Sequence, residues 1–560
     1  MTSWLIALGA LASANAAGTL DGEGAFAGAN VQVDNDFEAR YYQVDEVLEG
    51  FEDRAIHNYV EQVNRLNLLV SKPRLSFGMQ IDQVAFYANR YILDDELYRS
   101  YELLGDTVTS PWTDAFANIE KLYFKKKMNK VEFQLGDSYG AFARGMALNM
   151  ARNTDIDIDT SLRGVRSVAR GSDWQFTLMS GVTNPQQVSQ DNPNKNIEGD
   201  RYHMVSGGRF ERSDVAGVDL GIHAVMMTFD RQDGTGPAER FGSSLDVLTT
   251  GASAEAFGVA GIDLYAEGAL YDYRSADFFD GDEDAVEPGY GLYFSAGAYP
   301  GIMAVLIEGK RYYNTEQVNQ YAALQGYELV AGPSLEYERV ITEDSSAALN
   351  SDDIWGARAR VDFSLKEGLL TPYVSLAAFK DLDTGVLHFN EVPETIIHPV
   401  VGVEYFGHVA HVVLNSGLRN DIREDDTGQD TQAHIDTSIM LPAGALGEVE
   451  LAVAAERFLW GENLIQQHDF TEVEAAFSIL PNESWVFTVF QDYSDNPLVA
   501  STGNVSENVY MAGEAQYTVT SDTTLKLFYG AYKAGIRCAG GQCKSLPGFK
   551  GGRVALAGQF

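Results

Sequence analysis

The chain has 560 residues and a formal net charge of −40, from 80 acidic against 40 basic side chains. That balance excludes nucleic acid as a partner; it fits a solvated acidic surface, a cation-attracting lumen or metal-bridged outer loops. With 28 Tyr, 29 Phe and 54 Gly against only 15 Pro, the composition favours many strands, and the absence of an apolar run long enough to span excludes a helical membrane protein.

Residues 1–16 read MTSWLIALGALASANA, an apolar run closed by Ala14-Asn15-Ala16. This small-x-small pattern is expected to be an export signal, although no Lys or Arg precedes the run. Residues 17–560 are then expected to form one domain. A first strand is expected over Gly24–Val33, followed by an acidic stretch. His57–Val70 and Arg74–Phe86 form a hairpin around Ser71-Lys72-Pro73, with Leu66, Leu68 and Val70 opposite Arg65 and Asn67. Leu93, Leu97, Tyr101 and Leu104 carry the spacing of a short helix within Ile92–Trp112.

Ala115–Lys127 and Val131–Gly136 begin a long series of strand pairs. Their joints are Gly171-Ser172, Ser213-Asp214, Gly258–Gly261, Pro300-Gly301, Lys366–Gly368, Gly407, Pro442–Gly447, Pro481–Glu483 and Ser521-Asp522. These are short turns of Gly, Pro, Asn, Asp and Ser. Longer polar connections separate the pairs, among them 185–200, 232–243, 278–288, 381–395, 421–431 and 495–506. Short turns alternating with long loops are the rhythm of an up-and-down membrane barrel.

Within strands the residues alternate. Val449, Leu451, Val453 and Ala455 oppose Glu448, Glu450 and Glu456. Ile262, Leu264 and Ala266 oppose Asp263, Tyr265 and Glu267, and Ala359, Val361 and Phe363 oppose Arg358, Arg360 and Asp362. Charges spaced by two belong on a wet face, and the other face is apolar enough for lipid. Residues 314–353 break the rhythm; they are expected to be an outer loop able to fold into the lumen, which leaves ~24 strands. The terminal run Arg553–Phe560 alternates as a closing strand, with Phe560 expected in an aromatic girdle.

Gly136–Arg166 breaks the alternation and carries Gly136, Gly140 and Gly145 close together. Asp137, Arg144, Asp159 and Arg163 within it are expected to form an ion-pair cluster, either bracing an inward-folded segment or touching a solute. This stretch resembles a family of uncharacterised outer-membrane barrels best represented in Bacteroidota. Gly136, Asp137, Tyr139, Phe142, Arg144 and Gly145, then Asp159, Leu162, Arg163 and Gly164, match its two motifs. Gly332-Pro333-Ser334-Leu335 through Leu349–Asp353, and RCAGGQC with Pro547, also match, with one Pro where relatives tend to have two. The resemblance implies a large barrel and no known substrate.

Cys538 and Cys543 flank a short Gly-rich loop and are expected to pair as a disulfide in an oxidising envelope. Asp280, Asp282 and Asp284 open like a calcium loop, but Ala285 and Gly291 stand at its later key positions, so no cofactor is expected beyond a weak chance of calcium. His398, His408, His411 and His434 lie near acids without a catalytic order, and no nucleophile elbow, HExxH or zinc spacing is present; no enzyme activity is expected. The expected protein is an all-β, large antiparallel transmembrane barrel of the bacterial outer membrane, in contact with the bilayer and lipopolysaccharide. Its expected work is passive or gated passage of small hydrophilic solutes, leaning to cations, selected by Asp137, Arg144, Asp159, Arg163, Asp263, Glu267, Arg358, Arg360, Glu448 and Glu450. The alternative is a closed barrel that anchors a periplasmic or surface partner protein.

Overall fold

The computed structural model describes residues 18–19, 28–47, 55–88, 112–153, 158–185, 203–229, 245–275, 288–315, 318, 330, 353–381, 394–423, 429–459, 469–495, 508–533, 535–539, 542–546 and 548–559. The expected export signal, the helix over 92–112 apart from Trp112, the acidic loop at 280–284, most of the expected loop over 314–353, and Phe560 lie outside the described residues.

The wall is one closed antiparallel barrel of 24 strands. The first quarter holds β1 (Asn30–Val47), β2 (Ala55–Lys72), β3 (Leu75–Ala88), β4 (Trp112–Lys127), β5 (Val131–Ser138) and β6 (Ile158–Arg170). Next come β7 (Trp174–Pro185), β8 (Met204–Val215), β9 (Val218–Phe229), β10 (Leu245–Val259), β11 (Ile262–Ser275) and β12 (Gly289–Ala298). The third quarter is β13 (Met303–Tyr313), β14 (Ile354–Phe363), β15 (Leu370–Asp381), β16 (Glu394–Gly407), β17 (Ala410–Arg423) and β18 (Gln429–Pro442). The chain ends with β19 (Glu448–Leu459), β20 (Phe470–Asn482), β21 (Trp485–Ser494), β22 (Val509–Thr520), β23 (Thr523–Tyr532) and β24 (Phe549–Gln559). Strand β24 pairs with β1 from Asp34↔Gln559 to Tyr42↔Gly551, which closes the cylinder and leaves no free sheet edge there. Of the strand expected over Gly24–Val33, residues 24–27 lie outside the described residues; β1 is described from Asn30 and runs on through the acidic stretch to Val47. It can do so because Asp34, Asp36, Glu38 and Arg40 share one face with period two.

The two faces of the wall are chemically distinct. Strand β11 buries Tyr265, Glu267, Ala269, Tyr271 and Tyr273 while Leu264 and Leu270 are exposed on the other face. Strand β9 buries His223, Val225, Met227 and Phe229 and exposes Leu220 and Ile222. Exposed large apolar side chains recur around the outside, including Leu178, Leu292, Ile307, Leu376, Val401, Leu451, Val489 and Leu527. A soluble protein exposing so continuous an apolar band would aggregate; in lipid the band is solvated. Near the short turns the outside carries aromatics: Trp174 stacks on Phe210 at 6.4 Å, and Trp485 lies 4.5 Å from Tyr517 and 5.3 Å from Phe487. Such a girdle marks the membrane–water boundary on the periplasmic side.

Candidate lumen site

The chain leaves the wall after the short strand β5. Gly136 has φ +89°, a conformation that L side chains rarely adopt, and a Cβ there would overlap the Leu122 carbonyl. The chain then forms a small hairpin inside the barrel, Gly140–Phe142 paired with Leu148–Met150. Phe142, Met146, Leu148 and Met150 are at most 1% exposed. They pack in one cluster with wall residues that face inward, among them Met179, Val205, Val225, Met227, Tyr271 and Tyr293. Burying four large apolar side chains against the wall offsets the ordering of the hairpin. The cluster also takes in Val318 and Val330 from the segment between β13 and β14. The wall makes room where it lacks side chains: a Cβ at Gly291 on β12 would overlap the end of Met146.

Polar contacts fix the hairpin in register. The Tyr271 hydroxyl donates to the Met146 carbonyl at 2.6 Å. The Arg144 backbone N–H donates to Glu267 Oε2 at 3.0 Å, and the Tyr265 hydroxyl donates to the same oxygen at 2.6 Å. The Arg144 guanidinium lies 3.8 Å over the Tyr265 ring and donates to the Tyr293 hydroxyl at 3.2 Å. Tyr293 in turn donates to Glu308 at 2.7 Å, and Arg358 pairs with Glu308 at 2.7 Å. Arg144, Glu267 and Arg358 thus belong to one charged track along the lumen wall, joined through tyrosines.

Asp137, Asp159 and Arg163 sit elsewhere, in the wall between β4 and β6, so the expected cluster of four is corrected: Arg144 is carried away by the inward turn of the chain. The Leu122 N–H donates to Asp137 Oδ2 at 2.7 Å. Asn184 and Ser161 donate to Asp137 Oδ1 at 2.8 and 3.1 Å, and Arg163 pairs with Asp137 at 3.3 Å. Asp159 accepts from the Tyr139 hydroxyl at 2.7 Å and pairs with Lys121 at 3.3 Å and Arg152 at 3.6 Å.

The remaining candidates are dispersed. Asp263 accepts the Gly258 N–H at 2.8 Å, so its carboxylate is tied into the β10–β11 turn. Arg360 pairs with Asp362 at 2.8 Å and lies 3.9 Å over Tyr373. Glu450 accepts from Ser438 at 3.0 Å, while Glu448 is exposed at the start of β19. Of the four histidines, the fold joins His398 and His434, Nε2 to Nε2 at 2.9 Å; the His411 ring lies tilted against Phe406 at 4.1 Å. Cys538 and Cys543 lie opposite each other in a hairpin ladder outside the wall. Among the described residues no group of three or more His, Cys, Asp or Glu could hold a metal ion.

Sequence reasoning missed Lys121, Asn184, Tyr293 and Glu308, because their partners lie far along the chain. The tyrosines of YAEGALYDY were a usable signal: Tyr265, Tyr271 and Tyr273 share one face.

A closed antiparallel barrel with an apolar outer band, an aromatic girdle and a polar inner face is a bacterial outer-membrane barrel. No family model matches the sequence, and no curated protein matches it. Among solved structures, the translocation pore of the P pilus usher PapC is 9% identical with a TM-score of 0.40, covering 94% of this chain and 99% of that one. The siderophore receptor PirA from Pseudomonas aeruginosa is 8% identical with a TM-score of 0.44, covering 95% and 80%. The copper transporter OprC is 11% identical with a TM-score of 0.45, covering 96% and 81%.

Proposed function

We propose that the protein is an outer-membrane channel for small hydrophilic solutes, leaning to cations, narrowed on one side by the inner hairpin. The supporting observation is the asymmetry of the lumen. The buried apolar cluster that docks the hairpin reaches from β6 to β16. The opposite arc carries polar groups on its inner face, including Glu450, Glu456, Glu472, Glu514 and Arg553. Glu474, on the same face of β20 as the buried Glu472, pairs with Lys533 at 3.1 Å and still has a side chain 58% exposed, as expected beside lumen water. Basic groups of the lumen are neutralised by carboxylates: Arg65 by Asp82, Arg166 by Glu132, Arg358 by Glu308 and Arg553 by Glu514. Excess carboxylates therefore set the sign of the field that a solute meets.

The test is the reversal potential across a KCl gradient in planar bilayers. Discrete steps with potassium favoured over chloride are expected, and Glu474→Gln with Glu450→Gln should shift the potential toward zero. Absence of steps would instead favour the second reading, a closed barrel that anchors a partner protein. That reading has its own support in Val318 and Val330, which add a second segment to the same buried cluster.

A further inference from the structure

The wall is not stitched the same way all round. Between β4 and β5 the backbone ladder runs only from Lys127↔Glu132 to Tyr123↔Gly136. Beyond that point, side chains take over the work of the ladder. Asp137 accepts the Leu122 N–H at 2.7 Å. The Glu120 carbonyl accepts from Asn184 Nδ2 at 2.7 Å and from Arg163 at 2.9 Å. Lys121 Nζ donates to Ser161 Oγ at 3.0 Å and to the Asn184 carbonyl at 2.8 Å. Strand β4 bulges here, since its register with β3 jumps from Gln80↔Lys121 to Ile81↔Ile119.

The location makes this seam unusual. Five residues of β4 separate it from the periplasmic turn, which places it about 12 Å up a tilted wall whose apolar band is about 25 Å tall. It therefore begins near the midplane of the membrane and runs, over Leu122 to Ile119, into the outer half. Ile119, Leu122 and Leu135 are exposed to lipid beside it. Asp137 shares the outward face of β5 with Leu135, yet it is buried under its partners. Ionisable groups at lipid depth are costly, and a wall built only for closure would use a backbone ladder instead. Just inside the seam lie Met150, Leu162 and Met179 of the apolar cluster. Arg163, on the outward face of β6, has a side chain 39% exposed, while Arg152, whose side chain is 40% exposed, lies on the lumen side within electrostatic reach of Asp36.

We propose that the seam between β4 and β6 is a lateral portal that admits an anionic amphiphile, with a carboxylate or phosphate headgroup and an acyl chain, from the outer leaflet into the lumen. Arg163 meets the headgroup on the lipid side by exchanging Asp137 for the ligand's oxygens, and Arg152 receives it on the lumen side in place of Asp159. The acyl chain passes where a few side-chain hydrogen bonds, rather than a continuous ladder, hold the wall together. It then meets the apolar flank of the inner hairpin. This proposal does not depend on the aqueous channel, because a portal to lipid and a pore along the axis use different walls of the lumen.

The experiment is photolabelling of the full-length protein in proteoliposomes, with adducts mapped by peptide mass spectrometry. One arm uses a fatty acid with a diazirine on its chain. The other uses phosphatidylcholine carrying the same chain. The fatty acid is expected to label Met150, Leu162 or Met179 as well as the outer Ile119, Leu122 and Leu135; phosphatidylcholine is expected to label only the outer set. Arg152→Gln should lower the inner labelling several-fold and leave the outer labelling unchanged. Fatty-acid adducts confined to the outer set overturn the portal, and equal inner labelling by both probes overturns the selection by headgroup. The wild-type map decides the first point even if the variant does not fold.

Discussion

Phe142→Ala combined with Leu148→Ala should undock the inner hairpin without opening the barrel. The two residues face each other in the small ladder and are 1% and 0% exposed. Truncating a buried Phe costs about 3–5 kcal/mol and a buried Leu about 2–5 kcal/mol. Because the two touch, the sum is less than additive, and about 6 kcal/mol is a fair value for the pair. The remaining anchors are Met146 and Met150, the Tyr271 hydrogen bond and the Arg144–Tyr265–Glu267 contacts. The polar contacts are worth about 1–2 kcal/mol each and each buried Met about 1.5–3 kcal/mol, so losing about 6 kcal/mol removes about half of the docking energy and raises the undocked population steeply. The barrel ladders are untouched, so the protein should still run as a folded, heat-modifiable species. Trypsin should now cut after Arg144, and the unit conductance in planar bilayers should rise. Cleavage after Arg144 with conductance unchanged from wild type would refute the idea that this hairpin narrows the pore.

Three further outcomes follow from local geometry. Gly136→Ala should lower the folded yield from refolding into detergent, because its φ of +89° and the Leu122 carbonyl leave no room for a methyl group; a cost of about 2–3 kcal/mol is expected. Cys538 and Cys543 are opposed one step in from the Ala539↔Gln542 pair, a spacing within disulfide reach; intact mass before and after reduction should differ by two hydrogen atoms. Burial alone would lower the pKa of Lys533, but the carboxylates of Glu472 and Glu474 outweigh it and hold the group above the ordinary lysine value of 10.5. The stability from this contact is therefore complete below that value and is lost as pH rises through the raised pKa. Lys533→Met should cost about 3 kcal/mol by leaving Glu472 buried without its ammonium, and thermal melts should lose their alkaline fall.

The strand pairs were legible because period-two alternation and short Gly, Pro, Asn and Asp turns are local signals. Ile262–Glu267 and Val449–Glu456 alternate as read, and the turn at Gly258–Gly261 stands where the residues put it. Strand β1 was misjudged because an acidic stretch reads as solvent when only one face of it is wet. The unusual character of Gly136–Arg166 was visible in its glycines and broken alternation. Its split between wall and lumen was not, since Asp137 finds Asn184 and Leu122 while Arg144 finds Tyr265 and Tyr293. Such pairings depend on how the sheet closes, and no spacing along the chain encodes them. The seam at Glu120 and Lys121 was hidden for the same reason: IEKLYF looks like any half-buried strand until the neighbouring ladder stops.

Liposome swelling with uncharged sugars of graded size measures passage through the wild-type lumen most directly. The account predicts entry of the smallest sugars, a cutoff below that expected for an unobstructed barrel of 24 strands, and a higher cutoff in the Phe142→Ala, Leu148→Ala variant. No swelling with any sugar, in either protein, would contradict it.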